Sequence, residues 1–258
     1  MMRSNSIYLY MMENNTKKVV ISMSGGLDST MLAMYWLAQG YEVKGYAFDY
    51  GQKHDIELTK LKRCVKFLQK KELPISLQVI NLRDCFSDSA SSLHKKGDAI
   101  PKGHYEDSNM KSTVVENRNI IFSSIVYGKA LAWSKKTDSD VVISLGIHAG
   151  DHTIYPDTTR ESFEAASHTF KISNWGSERV TYEAPFVEKE KWEVLSTGIE
   201  SMKALGFKKR DINTVLKNTH SCYDPDDLGQ SCGVCGTCTE RIEAFEKVGW
   251  EDPIWYQG

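Results

Sequence analysis

Seven consecutive residues constrain this chain more than any others: Ser24-Gly25-Gly26-Leu27-Asp28-Ser29-Thr30. They follow the apolar, β-branched run Val19-Val20-Ile21 and precede Met31-Leu32-Ala33-Met34-Tyr35-Trp36-Leu37, which reads as helix. A strand, a glycine turn and a hydroxyl-rich helix start together make an anion site. The free N–H groups of the first helical turn and the helix dipole both face whatever sits there. Gly25 and Gly26 let the backbone come close to a phosphate with no Cβ in the way. Ser24, Ser29 and Thr30 add hydroxyls. Asp28 alone would repel an anion, so a Mg²⁺ between carboxylate and phosphate is the expected arrangement. A Walker-type loop is excluded, because no Gly-Lys-Ser/Thr follows at the required spacing, and Gly-x-Gly-x-x-Gly is absent too.

The run closely resembles the pyrophosphate loop of ATP pyrophosphatases, which cleave ATP between its α and β phosphates and adenylate an oxygen of their substrate. The resemblance implies ATP with Mg²⁺, bound by Ser24, Gly25, Gly26, Leu27, Asp28, Ser29 and Thr30. Ser24, Asp28 and Ser29 would take part in the chemistry. Lys191, in Glu190-Lys191-Trp192-Glu193, stands where this class tends to place a phosphate-binding lysine; the competing reading is an i,i+3 surface ion pair.

Downstream, strands and helices alternate. Strands are predicted over 19–23, 41–48, 75–82, 141–145 and 180–184, and helices over 29–39, 54–71, 119–136, 159–170 and 189–205. That alternation predicts a doubly wound parallel α/β sheet of Rossmann-like type, with ligands at the carboxyl ends of its strands. Residues 83–112 lose all periodicity and read as a lid. Residues 1–16 read as an N-terminal extension, 17–210 as the nucleotide-binding domain and 211–258 as a cysteine-bearing C-terminal region.

Net charge is −2 over 258 residues, and Lys208-Lys209-Arg210 is the strongest basic run, so duplex nucleic acid and anionic membranes leave no footprint. The N-terminal run Ile7 to Met12 is too short for a secretory signal. Six cysteines without such a signal point to the reducing cytoplasm, where clustered thiols mean metal rather than disulfides.

Cys222, Cys232, Cys235 and Cys238 follow C-x9-C-x2-C-x2-C. Four converging thiolates fit a closed, structural Zn²⁺ site. The rival iron–sulfur reading expects a fourth cysteine downstream, as C-x3-C-P, whereas here it lies upstream. Cys64, alone in a helical pattern, reads as a small buried hydrophobe.

A pyrophosphate loop and a C-terminal four-cysteine knot in one chain resemble the QueC family of 7-cyano-7-deazaguanine synthases. Supporting segments run from Phe48-Asp49-Tyr50-Gly51-Gln52-Lys53-His54 with Glu57, through Arg118-Asn119 and Asp151 to Tyr155-Pro156-Asp157, to Ser221-Cys222-Tyr223 and Arg241. The resemblance implies strand order 3-2-1-4-5. It adds Asp49 and Tyr50 to the ATP site and puts Gln52, Arg118, Asn119, Asp151, Tyr155 and Asp157 around the substrate. One acidic side chain of Asp151 and Asp157 would read a purine-like N1–H/N2–H₂ edge.

The implied partners are 7-deazaguanine carboxylate, ATP and ammonia. A homodimer is implied as well, for which Trp250, Ile254, Trp255 and Tyr256 offer apolar cover. Two departures stand out: Glu116 replaces the family's proline before Arg118-Asn119, and Thr158 replaces the cysteine after Tyr-Pro-Asp, with Arg160 displaced by one. They leave two alternatives open: a relative that joins a deazaguanine to a protein amine in an anti-phage system, and a tRNA-modifying enzyme.

Overall fold

The computed structural model describes residues 16–53, 56–102, 108–151 and 155–257. Five strands, β1 (Lys18–Ser22), β2 (Glu42–Asp49), β3 (Ile75–Asn81), β4 (Val141–Ser144) and β5 (Val180–Glu183), form one sheet in the order β3-β2-β1-β4-β5. Every pairing is parallel, with Val20 facing Lys44 on one side and Ile143 on the other. The implied topology holds. Chain direction across the sheet reverses between β1 and β4, and a crevice opens there at the strands' carboxyl ends.

Seven α-helices are described: α1 (Leu27–Ala38), α2 (Ile56–Lys70), α3 (Arg118–Thr137), α4 (Arg160–Ile172), α5 (Lys191–Ala204), α6 (Lys209–Lys217) and α7 (Gly236–Val248). The two-residue period of β1 divides the core. Val19 and Ile21 pack with α1, α2 and α5, while Val20 faces α3 through Val126, Tyr127 and Ala130. Both faces of the sheet are thus covered, which is why β1 reads as an unbroken apolar run. Gly198 of α5 lies against Met31 of α1, and a Cβ there would strike the methionine sulfur, so glycine permits the two helices to approach.

The C-terminal region packs onto the same body. Ile212, Val215 and Leu216 of α6 and Ala244 and Phe245 of α7 belong to the main core. Sequence periodicity did not identify α6 or α7. Arg241, fully buried, fixes α7 with a bidentate pair to Asp252 (2.8 and 2.9 Å) and a 2.7 Å hydrogen bond to the Thr219 hydroxyl.

The described parts of segment 83–112 contain two short 3₁₀ turns, and Phe86, Leu93, Ile100 and Met110 are buried. Phe86, Leu93 and Ile100 pack in one cluster with Tyr50 and the four C-terminal cysteines. Cys64 is buried without exposure, and its apolar surroundings push the thiol up to about 12, consistent with the reading as a small hydrophobe. Among the aromatics expected to cover a partner, Trp250 donates its indole N–H to Asn213 and Tyr256 its hydroxyl to Asp252, both within the chain; Trp255 is 75% exposed. The segment 1–15 of the expected extension lies outside the described residues.

Candidate active site

The loop after β1 is clamped from two sides. Gly25 has φ +92°, and a Cβ there would fall 2.7 Å from the Glu57 carbonyl of α2, so no other residue fits without strain. Its carbonyl accepts a 2.9 Å hydrogen bond from the His220 N–H. Inside the loop, the Ser24 hydroxyl accepts from the Gly26 N–H (3.1 Å) and shares a 3.2 Å hydrogen bond with Ser29. Thr30 donates to the Gly26 carbonyl at 2.8 Å. Leu27 is fully buried in the core. Leu27 and Thr30 therefore build the loop from behind, while Ser24, Gly26, Asp28 and Ser29 line the cavity in front of it.

That cavity, ≈ 270 Å³, occupies the crevice at the strand ends. At the α1 end its chemistry centres on Lys191, the first residue of α5. The Lys191 ammonium lies 2.8 Å from Asp28 Oδ2, 3.1 Å from Glu240 Oε2 and 3.1 Å from His148 Nε2. Lys191 and His148 are buried. Burial alone would push the Asp28 carboxyl up, but Lys191 and then His148 outweigh it and hold the group below its ordinary range. Asp28 is a carboxylate in this site. The i,i+3 surface pair considered for Lys191 does not form; Glu193 instead caps α5 by accepting from the Glu190 N–H.

At the opposite end the wall is aromatic. Arg118, at the start of α3, donates to the Tyr50 hydroxyl at 3.3 Å and lies 5.6 Å from the centre of the Tyr50 ring. Tyr155 shares its hydroxyl with Thr113 (2.8 Å) and Tyr223 (3.3 Å). Burial pushes the Tyr50 phenol up to about 12, so it stays a neutral hydrogen-bonding group. Gln52 lines the cavity but spends its amide internally: it accepts from the Tyr50 N–H (3.0 Å) and donates to Glu57 Oε1 (3.0 Å) and the Phe48 carbonyl (3.3 Å).

Lys191, Gln52, Tyr50, Arg118, Asn119 and Tyr155 thus converge on one cavity with Ser24, Gly26, Asp28 and Ser29. Two expected acids do not line it. Asp49 pairs with Arg83 at 2.8 Å, and a hydrogen bond from Arg83 holds its carboxyl low; Asp157 accepts a 3.1 Å hydrogen bond from Asn119. The Asp151 side chain lies outside the described residues. Glu240, Glu57, Tyr223 and Ser221 line the cavity without having been singled out as contacts from sequence.

The four cysteines form the wall behind Tyr223. All are buried, and their sulfurs lie within 4.8 Å of one another. Tetrahedral thiolates at about 2.3 Å from a metal have S–S edges of about 3.8 Å, so the set fits one four-sulfur ion. Backbone N–H groups of Asp224 and Cys232 point at Cys222 Sγ (3.3 and 3.2 Å), and those of Val234 and Cys235 at Cys232 Sγ (3.4 and 3.3 Å), as suits thiolate charge. Hydrogen bonds from Cys222 and Cys238 pull the Cys235 thiol far below its ordinary value. The knot also reaches the loop: Thr237 donates to the Ser221 carbonyl (2.6 Å), and the Ser221 hydroxyl accepts from the Leu27 N–H (3.5 Å). Among the described residues no helix is long and apolar enough to cross a membrane.

The family model described as "Queuosine biosynthesis protein QueC" matches residues 18–249. A 7-cyano-7-deazaguanine synthase from Caldicellulosiruptor bescii is 39% identical over 240 residues, spanning 93% of this chain and 97% of that protein. One from Marinomonas sp. is 37% identical over 243 residues, spanning 94% and 99%. Among solved structures, NMN synthetase from Francisella tularensis is a loose match, with TM-score 0.42 and 13% identity over 96% of this chain and 83% of that one.

Proposed function

The chain belongs to the QueC family, and from that premise we propose that it is an ATP-dependent 7-cyano-7-deazaguanine synthase. It takes 7-carboxy-7-deazaguanine and ammonia and releases the nitrile, AMP and pyrophosphate. The observation that carries the reading is one cavity with a phosphate-type loop and Lys191 at one end and Arg118 among tyrosines at the other. Those two ends suit a triphosphate and an aromatic carboxylate meeting in the middle.

A carboxylate is a poor electrophile, and adenylation supplies a leaving group. Its oxygen forms a bond to the α-phosphorus and pyrophosphate departs; ammonia then bonds to the acyl carbon and AMP departs, leaving an amide. A second ATP adenylates the amide oxygen, and loss of AMP and a proton gives the nitrile. The first-turn amides of α1 and the Lys191 ammonium neutralise phosphate charge as pyrophosphate leaves. Arg118 aims the substrate carboxylate, and Tyr50 and Phe122 line the cavity beside it as apolar wall for the heterocycle.

A Mg²⁺ fits at Asp28, whose Oδ1 is buried and accepts no hydrogen bond from the described residues. It would supply further positive charge at the phosphates. Zn²⁺ is the ion that best fits four thiolates, and its part is to fix the wall behind Tyr223. A reducing cytoplasm suits that thiolate set. A homodimer would use exposed Trp255 and Leu228, and light scattering of the purified chain tests it. Neither the cavity nor the relatives favours protein conjugation or tRNA modification.

Incubation with 7-carboxy-7-deazaguanine, ATP, Mg²⁺ and ammonium, followed by mass measurement of the products, tests the function. The nitrile with AMP is expected. Arrest at the amide, or mass added only to a protein acceptor, overturns it.

A further inference from the structure

The three partners of Lys191 come from three distant parts of the chain: Asp28 from the loop, His148 from the turn after β4, and Glu240 from α7. The Lys191 ammonium has a carboxylate oxygen within 3.1 Å on two sides and His148 Nε2 at 3.1 Å on a third, while His148 Nδ1 accepts from the Gly150 N–H at 3.1 Å. Asp28 and Lys191 already belong to the nucleotide reading above. Glu240 does not, yet it lines the same cavity and is as close to the Lys191 ammonium as the imidazole is.

Glu240 is also held rigidly. Cys235 caps α7 and Cys238 lies in its first turn, two residues before Glu240, while Arg241 next to it is locked on Asp252. Its carboxylate reaches toward the turn after β4, where a Cβ on Gly150 would fall 2.6 Å from Oε1. The cysteine knot therefore delivers a carboxylate into the phosphate end of the cavity.

We propose that Glu240 is a positioning residue of the nucleotide reaction: it draws the Lys191 ammonium back beside Asp28 until triphosphate arrives, with His148 as the backstop. The inference rests on the nucleotide reading of this cavity. Asp28 and Glu240 bring two carboxylates to a single ammonium at this end. A triphosphate must overcome the second carboxylate to capture Lys191, and once it has, Glu240 and His148 restrict where the ammonium can go. This predicts an unusual sign. Removing the Glu240 charge should tighten nucleotide binding, because Coulomb repulsion is relieved, and should slow turnover, because the ammonium is no longer aimed. A residue that only props up the fold would loosen both.

The test uses the full chain with its metal, and an ATP analogue carrying a methylene between the α and β phosphates, measured by calorimetry. For Glu240→Gln, binding should tighten about fivefold, while kcat for AMP formation drops at least about tenfold. Glu240→Asp should restore part of kcat. Thermal melting monitors folding, and His148→Asn probes the backstop from the other side, with a loss of kcat and little change in analogue affinity. Unchanged or weaker analogue binding in a folded Glu240→Gln chain would overturn the inference. Failure of the unaltered chain to bind the analogue at all would instead overturn the nucleotide reading on which it rests.

Discussion

The two sites in this chain that a short run of residues announces are built on opposite plans. The cysteine knot takes its four sulfurs from 17 residues, 222 to 238, and encloses them: all four cysteines are buried, and among the described residues no donor comes from elsewhere. The loop at 24–30 is open on one side and owes its chemistry to groups far away in sequence, at positions 148, 191 and 240. A closed site is self-sufficient and contributes to folding. An open one depends on the sheet to gather its partners and contributes to reaction. Damage to the two should therefore be distinguishable.

The largest effect is expected at the knot. Metal-linked folding energy in small thiolate sites is of order 10 kcal/mol, and here the knot also supports α7, Arg241 and the turn that holds Gly25. Cys235→Ser, or a strong chelator, should lower the melting temperature sharply and abolish cooperative unfolding of the C-terminal region, as followed by circular dichroism and metal analysis. A variant that melts like the parent would break the comparison, since the knot would then be dispensable.

At Asp28 the opposite pattern is expected. Asp28→Ala should cut AMP formation by about 10²–10³-fold, with a folded chain by circular dichroism. The same residue carries a pH signature. Its carboxyl is held below the ordinary 3.8, so its stabilising effect is present above that value and lost as pH falls through the lower, folded value. Acid melts of the parent should therefore steepen below about pH 4, and Asp28→Asn should flatten that part of the curve. Unaltered turnover in Asp28→Ala would remove the loop from the reaction.

What could be read in advance follows the same division. The strand–loop–helix at 18–38 and the four cysteines were legible because their partners are contiguous, and the β1 run Lys18–Ser22 declared a central strand by its unbroken apolarity. Glu240 was not legible. In Thr239-Glu240-Arg241-Ile242-Glu243 it looks like part of a solvated, charge-laced face, and only the packing of α7 against α5 turns it inward. His148 had no visible partner in the sequence, because its partner Lys191 lies 43 residues on. The acids at 49 and 157 read as site residues from their segments, but Arg83 and Asn119, which engage them, lie 34 and 38 residues away.

A moderate effect is expected at Gly25, where the two regions meet. Ala would have to hold φ +92° with its Cβ 2.7 Å from the Glu57 carbonyl, a backbone atom that cannot swing aside. A cost of about 1–3 kcal/mol is typical of such strain, and the loop would also be pushed off the His220 N–H. Gly25→Ala should lower both stability and analogue affinity, whereas Gly40→Ala, with positive φ but nothing within 4 Å, should lower stability alone. Equal effects of the two on affinity would mean that the clamp on the loop is irrelevant to binding.

The smallest effect is expected at Asp49, and it sharpens where the open site ends. The sequence segment assigns this residue to ATP; its side chain instead engages Arg83 through two contacts of 2.8 Å at the exit of β2. Arg83 is half exposed, so solvent screens the pair, and its worth is at most about 1 kcal/mol. The Asp49 carboxyl is held low chiefly by the hydrogen bond from Arg83, so its contribution too is present above the ordinary range and fades in acid. Asp49→Asn should therefore shift the melting temperature by no more than a few degrees, with KM for ATP unchanged. A several-fold rise in that KM at unaltered stability would extend the nucleotide site along β2 and show that the carboxylate leaves Arg83 when ATP is bound. An unchanged KM confines the open site to what the crevice between β1 and β4 gathers, and leaves Asp49 as a strand-end brace.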